Sequence, residues 1–255
     1  MSKYDVIETF SKIHRKDAHG LPVSGAFDTI THLLDTAAGD IEPSGETVVL
    51  DAGSAGGFRT RRYFSGFNLI LLDYDHHVLN HSRKRFGGDA EAGSVSADYF
   101  SIPVPAESID LLVANGVNEH YLDPERQTLF EEMYRVVKKG GRMIVMTPNK
   151  LNLFHTLWKS ISEANGSWEY GPQYDFTQME MRGRMSQLGF RKIESYGAGT
   201  FTSWIRLLPR EKQKEYLISP TPFKKLNDLL VRLDSDAGSF FNRYFGREIM
   251  VVGYK

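Results

Sequence analysis

The segment Asp51-Ala52-Gly53-Ser54-Ala55-Gly56-Gly57 follows a short β-branched apolar run at 47–52. A glycine-rich bend between a buried strand and a helix lets a ligand approach the backbone closely. The spacing is not the dinucleotide fingerprint G-x-G-x-x-G, and no Gly-Lys-Ser/Thr follows as in a phosphate-binding loop. Taken alone, the bend is equally an ordinary tight turn. A second apolar run at 68–75 ends in acid, and Asp73 lies about 20 residues beyond the bend. Where adjacent parallel strands end side by side, such a carboxylate can accept hydrogen bonds from both hydroxyls of a ribose. Asp75 competes for that role, and Asp73 is preferred because it ends the apolar run directly. A third run ends in Ala97-Asp98-Tyr99, where a carboxylate can accept from an adenine amino group or merely cap a loop.

Histidine chemistry is the second possibility. His120 follows the fourth apolar run, at the strand end where ligands sit in open α/β sheets, and histidine titrates near neutrality. It is the candidate general base; shaping the loop or capping the next helix is the competing role. His155 is a weaker candidate, equally readable as a surface histidine, and His14 and His19 lie in a polar N-terminal arm.

The elements that must hold these residues alternate. Runs at 47–52, 68–75, 94–100, 108–115 and 142–147 read as strands, and 26–38, 77–86 and the segment from Asp123-Pro124-Glu125 onward read as helices. Lys138-Lys139-Gly140-Gly141 is expected to end that last helix. Helix then resumes at 176–188, and 191–198 and 248–255 read as the final strands. Apolar rather than alternating strands imply a parallel sheet covered on both faces, an α/β fold.

Composition bounds the rest. The 255 residues hold 31 basic and 32 acidic side chains, a formal charge of −1, which gives no global attraction to nucleic acid. No nucleic-acid partner is therefore expected. Cysteine is absent, which excludes a disulfide, a zinc–thiolate centre and a thiol nucleophile. No metal site is expected. No apolar run approaches the roughly 20 residues that span a bilayer, and the polar first residues hold no signal core, so a cytoplasmic location is expected.

On these residues the chain resembles the class I S-adenosylmethionine-dependent methyltransferases, and within them the group related to ubiquinone-biosynthesis enzymes. The likeness runs from Thr47 to Asn149 and is most specific over SADYFSIPVPAESIDLLVANGVNEHYLDPERQTLFEEMYRVVKKGGRMIVMTPN. It implies a three-layer Rossmann-like sandwich: a mostly parallel seven-stranded sheet with an antiparallel last strand. It implies S-adenosyl-L-methionine as cofactor. Asp51, Gly53, Ser54, Ala55 and Gly57 would lie in the turn along its methionine part. Asp73 and Tyr74 would lie at its ribose, Asp98 and Tyr99 at its adenine, and Asn115 beside the methionine again. Asp110 is a structural position by the same comparison. Ala55 departs from the family's D-x-G-x-G-x-G pattern by a methyl group, unless Gly56 relaxes the turn.

The resemblance implies methyl transfer to a small-molecule or carrier-linked metabolite, onto oxygen sooner than nitrogen or carbon; a catalytically silent cofactor-binding protein is the alternative. Residues 1–40 are expected to form an arm and helix covering the cofactor site. Residues 41–255 would be the catalytic domain, with lid insertions at 150–174 and 201–245 that bring Trp158, Trp168, Tyr170, Tyr174 and Trp204. The stripe Leu226, Leu229, Leu230 and Leu233 is read first as a core-packed helix, with a peripheral membrane contact or a dimer helix as alternatives. A monomer or a homodimer is expected.

Overall fold

The computed structural model describes residues 28–85, 92–209, 212–213 and 222–255. His14 and His19 lie outside them. Seven strands form one sheet: β1 (Val48–Ala52), β2 (Asn68–Asp73), β3 (Gly93–Ser96), β4 (Ile109–Asn115), β5 (Val137–Pro148), β6 (Lys192–Ala198) and β7 (Glu248–Tyr254). Their order is β3-β2-β1-β4-β5-β7-β6. β1 to β5 run parallel, and β7 pairs antiparallel with both β5 and β6. This is the expected architecture.

The strands are apolar throughout because both faces are covered. Leu50, Leu72, Leu112, Ala114 and Val145 point to one face, and there α4 (Glu125–Val136) lays Leu129, Phe130, Met133 and Val136 over them. α6 (Gln178–Leu188) adds Met181 and Met185 on that side. Val49, Leu71, Leu111, Val113 and Ile144 point the other way, against Leu33, Leu34, Ala37 and Ala38 of α1 (Thr29–Ala38) and Leu79 of α3 (His76–Arg85). Period-two alternation feeding two separate apolar layers makes a three-layer sandwich. α2 (Thr60–Tyr63) is a single turn after the glycine bend.

Asp110 has a structural role, as expected. Its Oδ2 accepts from the Val48 amide at 2.9 Å and both carboxylate oxygens accept from Lys138, joining β1, β4 and β5.

Three expectations need correction. The lysine–glycine segment does not cap α4: that helix ends at Val136, and Lys138–Gly141 already belongs to β5. Pairing with β4 and with the chain end outweighs the local stop signal, and Gly140 absorbs the bend with φ of 81°. β3 is shorter than read, so Asp98 and Tyr99 sit in the loop beyond it. The leucine stripe is not core. In α7 (Pro222–Asp234), Leu226, Leu229 and Leu233 are about half exposed, whereas Asn227 and Asp234 are buried. The inward face of this helix is polar because its work is hydrogen bonding.

Asp234 shows that work. Its carboxylate accepts from the amides of Phe201 and Thr202 and from the Thr202 hydroxyl, at 2.7–3.2 Å. These bonds start the 3₁₀ segment Thr202–Leu207 that follows β6. α5 (Leu153–Ala164) is fastened to the same region: Asn152 caps it through His155 N and donates to Phe245 O of α8 (Phe240–Phe245). Asp234→Ala would strand the buried Thr202 amide and the partly buried Phe201 amide and is expected to cost about 2–4 kcal/mol. Urea unfolding of the variant against the parent chain measures this.

Candidate active site

The parallel strands deliver Ala52, Asp73, Asn115 and Pro148 to one edge of the sheet. The strand order reverses direction between β1 and β4, where open α/β sheets bind ligands. The bend after β1 is bonded to β2, because the amides of Gly53 and Ser54 both donate to Leu72 O, at 2.9 and 3.1 Å. Gly53 has φ of 80°, and a Cβ there would stand 2.1 Å from Val117 Cγ2. Only glycine fits between the β4 loop and this turn. Ala55 itself takes the left-handed conformation, φ 47°, as do Gly56 and Gly57. Gly56 therefore does not relieve Ala55. The alanine carries the strain the family's glycine avoids, about 1–2 kcal/mol.

What holds Ala55 there is Asp73. The Ala55 amide donates to Asp73 Oδ2 at 2.8 Å, and the Asp75 amide donates to Oδ1 at 3.0 Å. Asp75 turns its own carboxylate to the His77 amide at the start of α3, so Asp73 is the acid that meets the turn. Tyr99, buried, receives the Tyr74 amide on its hydroxyl at 3.3 Å, and burial beside Asp73 pushes its phenol well above the ordinary range. Asp98 accepts from the Phe100 amide at 3.0 Å, an acid fixed by its own loop.

Asp51 is buried at the end of β1 and accepts from the Thr60 hydroxyl at 2.5 Å. Burial, reinforced by the charge of Asp73, raises it to about 7 despite that bond. Ser54 Oγ is buried in the bend without a hydrogen-bond partner. A buried hydroxyl without a partner and a carboxyl denied a counter-charge are what a ligand bearing an ammonium and a carboxylate would complete. The residues present thus fit the methionine end of S-adenosylmethionine.

The structure therefore brings Asp51, Gly53, Ser54, Ala55, Gly57, Asp73, Tyr74, Asp98 and Tyr99 onto one sheet edge, with Asn115 at the end of β4. His120 stands apart, in the 3₁₀ turn Asn118–His120. It is buried, and its Nδ1 lies 2.8 Å from Pro172 O. A carbonyl only accepts, so Nδ1 carries the proton. Burial is the main cause that lowers it to about 4. Its neighbour Glu119 is also buried. Burial, with the charges of Glu248 and Asp175, raises Glu119 to about 8. At 3.9 Å the two are not an ion pair near neutrality, since the imidazole is neutral and the carboxyl largely protonated. His155, read as equally a surface residue, is buried with Nε2 3.3 Å from Asp175, which Lys159 also holds at 3.1 Å.

Sequence reasoning missed Glu119 as a titrating group, because nothing in the string reveals that its carboxyl is buried and that Oε2 has no partner. It also missed a cavity of about 760 Å³ on the β5–β7–β6 side of the same edge. Glu248, which starts β7 opposite Pro148 at the end of β5, lines it together with Trp158, Tyr170, Arg206 and Arg247. Arg59, two residues past Gly57, forms the wall toward the bend.

A family model described as a methyltransferase domain matches residues 50–145. A 2-methyl-6-phytyl-1,4-hydroquinone methyltransferase from Oryza sativa subsp. japonica is 30% identical over 115 residues, 44% of this chain and 33% of that protein. A probable S-adenosylmethionine-dependent methyltransferase from Mycolicibacterium smegmatis is 31% identical over 120 residues, 42% of this chain and 44% of that protein. The matched part thus spans between a third and a half of these relatives. The crystal structure of a SAM-dependent methyltransferase from Thermotoga maritima, described as a possible histamine N-methyltransferase, superposes with a TM-score of 0.67. It is 16% identical and covers 98% of this chain and 99% of that one. That likeness speaks to the fold. The domain match takes in the Gly53 bend and Asp73, so this part of the chain is similar to S-adenosylmethionine-dependent methyltransferase domains.

Proposed function

We propose that this chain transfers a methyl group from S-adenosylmethionine to a small-molecule acceptor held in the cavity beside β5 and β7. The observation that carries this reading is the Asp73 carboxylate clasping the Ala55 amide. It fixes the bend against the end of β2, with the cavity of about 760 Å³ on the same sheet edge. When bound, the cofactor supplies a methyl group already activated on a sulfonium. The chain's own residues must then hold the acceptor in line, exclude water and take a proton where the acceptor has one to lose. Asp51 and Ser54 hold the methionine end, Asp73 and Tyr99 the sugar, and Asp98 the adenine side. Residues 150–174 and 201–209 act as lid over the acceptor. The relatives named for hydroquinone substrates suggest a small organic acceptor. The arginines in this cavity argue against a wholly apolar one.

His120 and Glu119 divide the proton-handling role. His120 positions the loop through Pro172, and Glu119 is the group tuned close to working pH. Glu119 lies beside Gly116, whose added Cβ would stand 3.8 Å from its Oε1, and the Thr147 side chain of β5 partly offsets its upward shift. The charged groups facing it are Glu248, Asp175 and Arg126.

Radiolabelled S-adenosylmethionine offered with a panel of phenolic, carboxylic and phosphorylated acceptors tests the assignment. Transfer to at least one is expected; saturable cofactor binding with no transfer would support the silent-protein alternative. With a productive acceptor, turnover should rise about tenfold per pH unit below 8 as Glu119 ionises, and Glu119→Gln should lose that slope while His120→Gln keeps it. Titration calorimetry with S-adenosylhomocysteine should show Asp73→Ala binding weaker by about 1–3 kcal/mol. Asp51 gives opposite effects on stability and binding. Its folded pKa, about 7, exceeds the ordinary 3.8, so the ligand-free fold loses stability as pH rises between those values. Asp51→Asn should therefore melt higher than the parent at pH 8 without ligand. It should also bind the homocysteine analogue more weakly, because it offers no charge to the ammonium.

A further inference from the structure

Charge is unevenly matched in the cavity. Arg59 is balanced by Asp28 at 3.6 Å. Arg247 is balanced by Glu248, Nη1 to Oε1 at 2.5 Å, and its Nη2 donates to the Thr29 hydroxyl at 2.8 Å. Arg206 has no carboxylate of its own among the described residues. It lies 4.9 Å over the Trp158 ring, and Trp158 packs in turn on Trp168 and Tyr170 with centroids 5.1 and 6.2 Å away. Glu169, the other acid on the wall, is exposed.

Arg206 and Arg247 thus line one cavity in which Glu248 is already paired with Arg247. The positive charge of Arg247 is the leading influence on Arg206 and depresses it, with burial second; Glu248 and Tyr170 act in the opposite direction. Arg206, lowered to about 10, remains charged at neutral pH. Holding two like charges together away from bulk water is unfavourable unless something negative arrives between them. The anchoring is also rigid. Arg247 is tied to Glu248 and to the start of α1, and Arg206 stacks on an indole within the 3₁₀ segment that Asp234 fixes. Preorganised planar donors of this kind recognise carboxylate and phosphate groups.

Resting on the methyl-transfer reading, we infer that Arg206 and Arg247 form an anion socket, so that the acceptor carries a carboxylate or phosphate group which they hold while its remaining body lies against Trp158 and Tyr170. The socket explains why a lid rich in aromatics also brings an arginine inward. It also orients the acceptor, with its charged end at β7 and its reactive end toward the Arg59 wall and the bend.

The test uses the full chain and two probes, inorganic phosphate and benzoate. Tryptophan fluorescence is titrated with each, since the indole beneath Arg206 reports on what binds it. A saturable change is expected, weakened at least tenfold in Arg206→Met. A response to phosphate alone assigns a phosphoryl group, and one to benzoate alone a carboxylate. Mass-spectrometric mapping of phenylglyoxal modification in the unsubstituted chain gives a second reading that needs no variant. The responding anion should slow modification of Arg206. No saturable change with either probe, a change that survives in Arg206→Met, or modification of Arg206 unaffected by a responding anion overturns the socket. S-adenosylhomocysteine binding to the same sample, followed by calorimetry, reads the cofactor assignment independently. Loss of one result leaves the other standing.

Discussion

The hydrogen bond from the Ala55 amide to Asp73 joins two strand ends that the sheet register only brings near each other. Without it, a non-glycine residue at φ 47° has no reason to stay there, and the bend would relax away from β2. With it, one carboxylate ties the bend after β1 to the turn after β2. Each Asp73 oxygen keeps a lone pair after its amide bond, so the bond does not use up the acid. The glycine missing from the turn is thus compensated by geometry. Val117 from the β4 loop completes the clamp, filling the space that a side chain on Gly53 would need. Three adjacent strands contribute to one small piece of irregular backbone, the usual position of a site on an open parallel sheet.

The burial of ionisable groups along this edge follows from the same arrangement. Asp51 and Glu119 are both pushed up by desolvation, and each lies near another acid: Asp73 for the first, Glu248 for the second. Structural carboxylates elsewhere in the chain behave oppositely. Glu132 is held low by Arg135, and Asp123 by Arg184, in bidentate or near-bidentate pairs. The chain therefore pairs these acids where they hold structure together, whereas burial raises Asp51 and Glu119 along the sheet edge.

Much of this was readable in the string, for definable reasons. Strand positions followed from apolar runs that both helix layers cover, and Asp51, Gly53 and Asp73 from their places at strand ends. The failures are equally physical. Lys138–Gly141 has the composition of a helix stop, yet pairing in β5 and the chain-end bonds from Gly140 and Lys255 draw it into the sheet. The leucines of α7 have helical spacing, but spacing alone does not say which face is inward. Asn227 and Asp234 lie on the buried face, and Asp234 accepts from the Phe201 and Thr202 amides. Glu119 gave no signal because a raised carboxyl is made by neighbours from β5, β7 and the loop at 172–175. Arg206 and Arg247 are 41 positions apart and line one cavity only in the folded chain.

That last point bears on how acceptor choice is built. The half of the edge at β1, β2 and β4 takes its groups from strand ends and short bends within one continuous stretch, which is also where the relatives align. The half at β5, β7 and β6 draws on α1, α5, the 3₁₀ segment and α7, parts the family match does not reach. On the proposed function, cofactor binding would rest on backbone that the sheet itself imposes, and acceptor recognition on side chains carried by separately anchored pieces. The anchors are polar and few: Asp234 for the 3₁₀ segment, Asn152 for α5 and Arg247 for α1. Changing the side chains between those anchors would re-shape the acceptor cavity without disturbing the strand register that holds Asp73 against the bend.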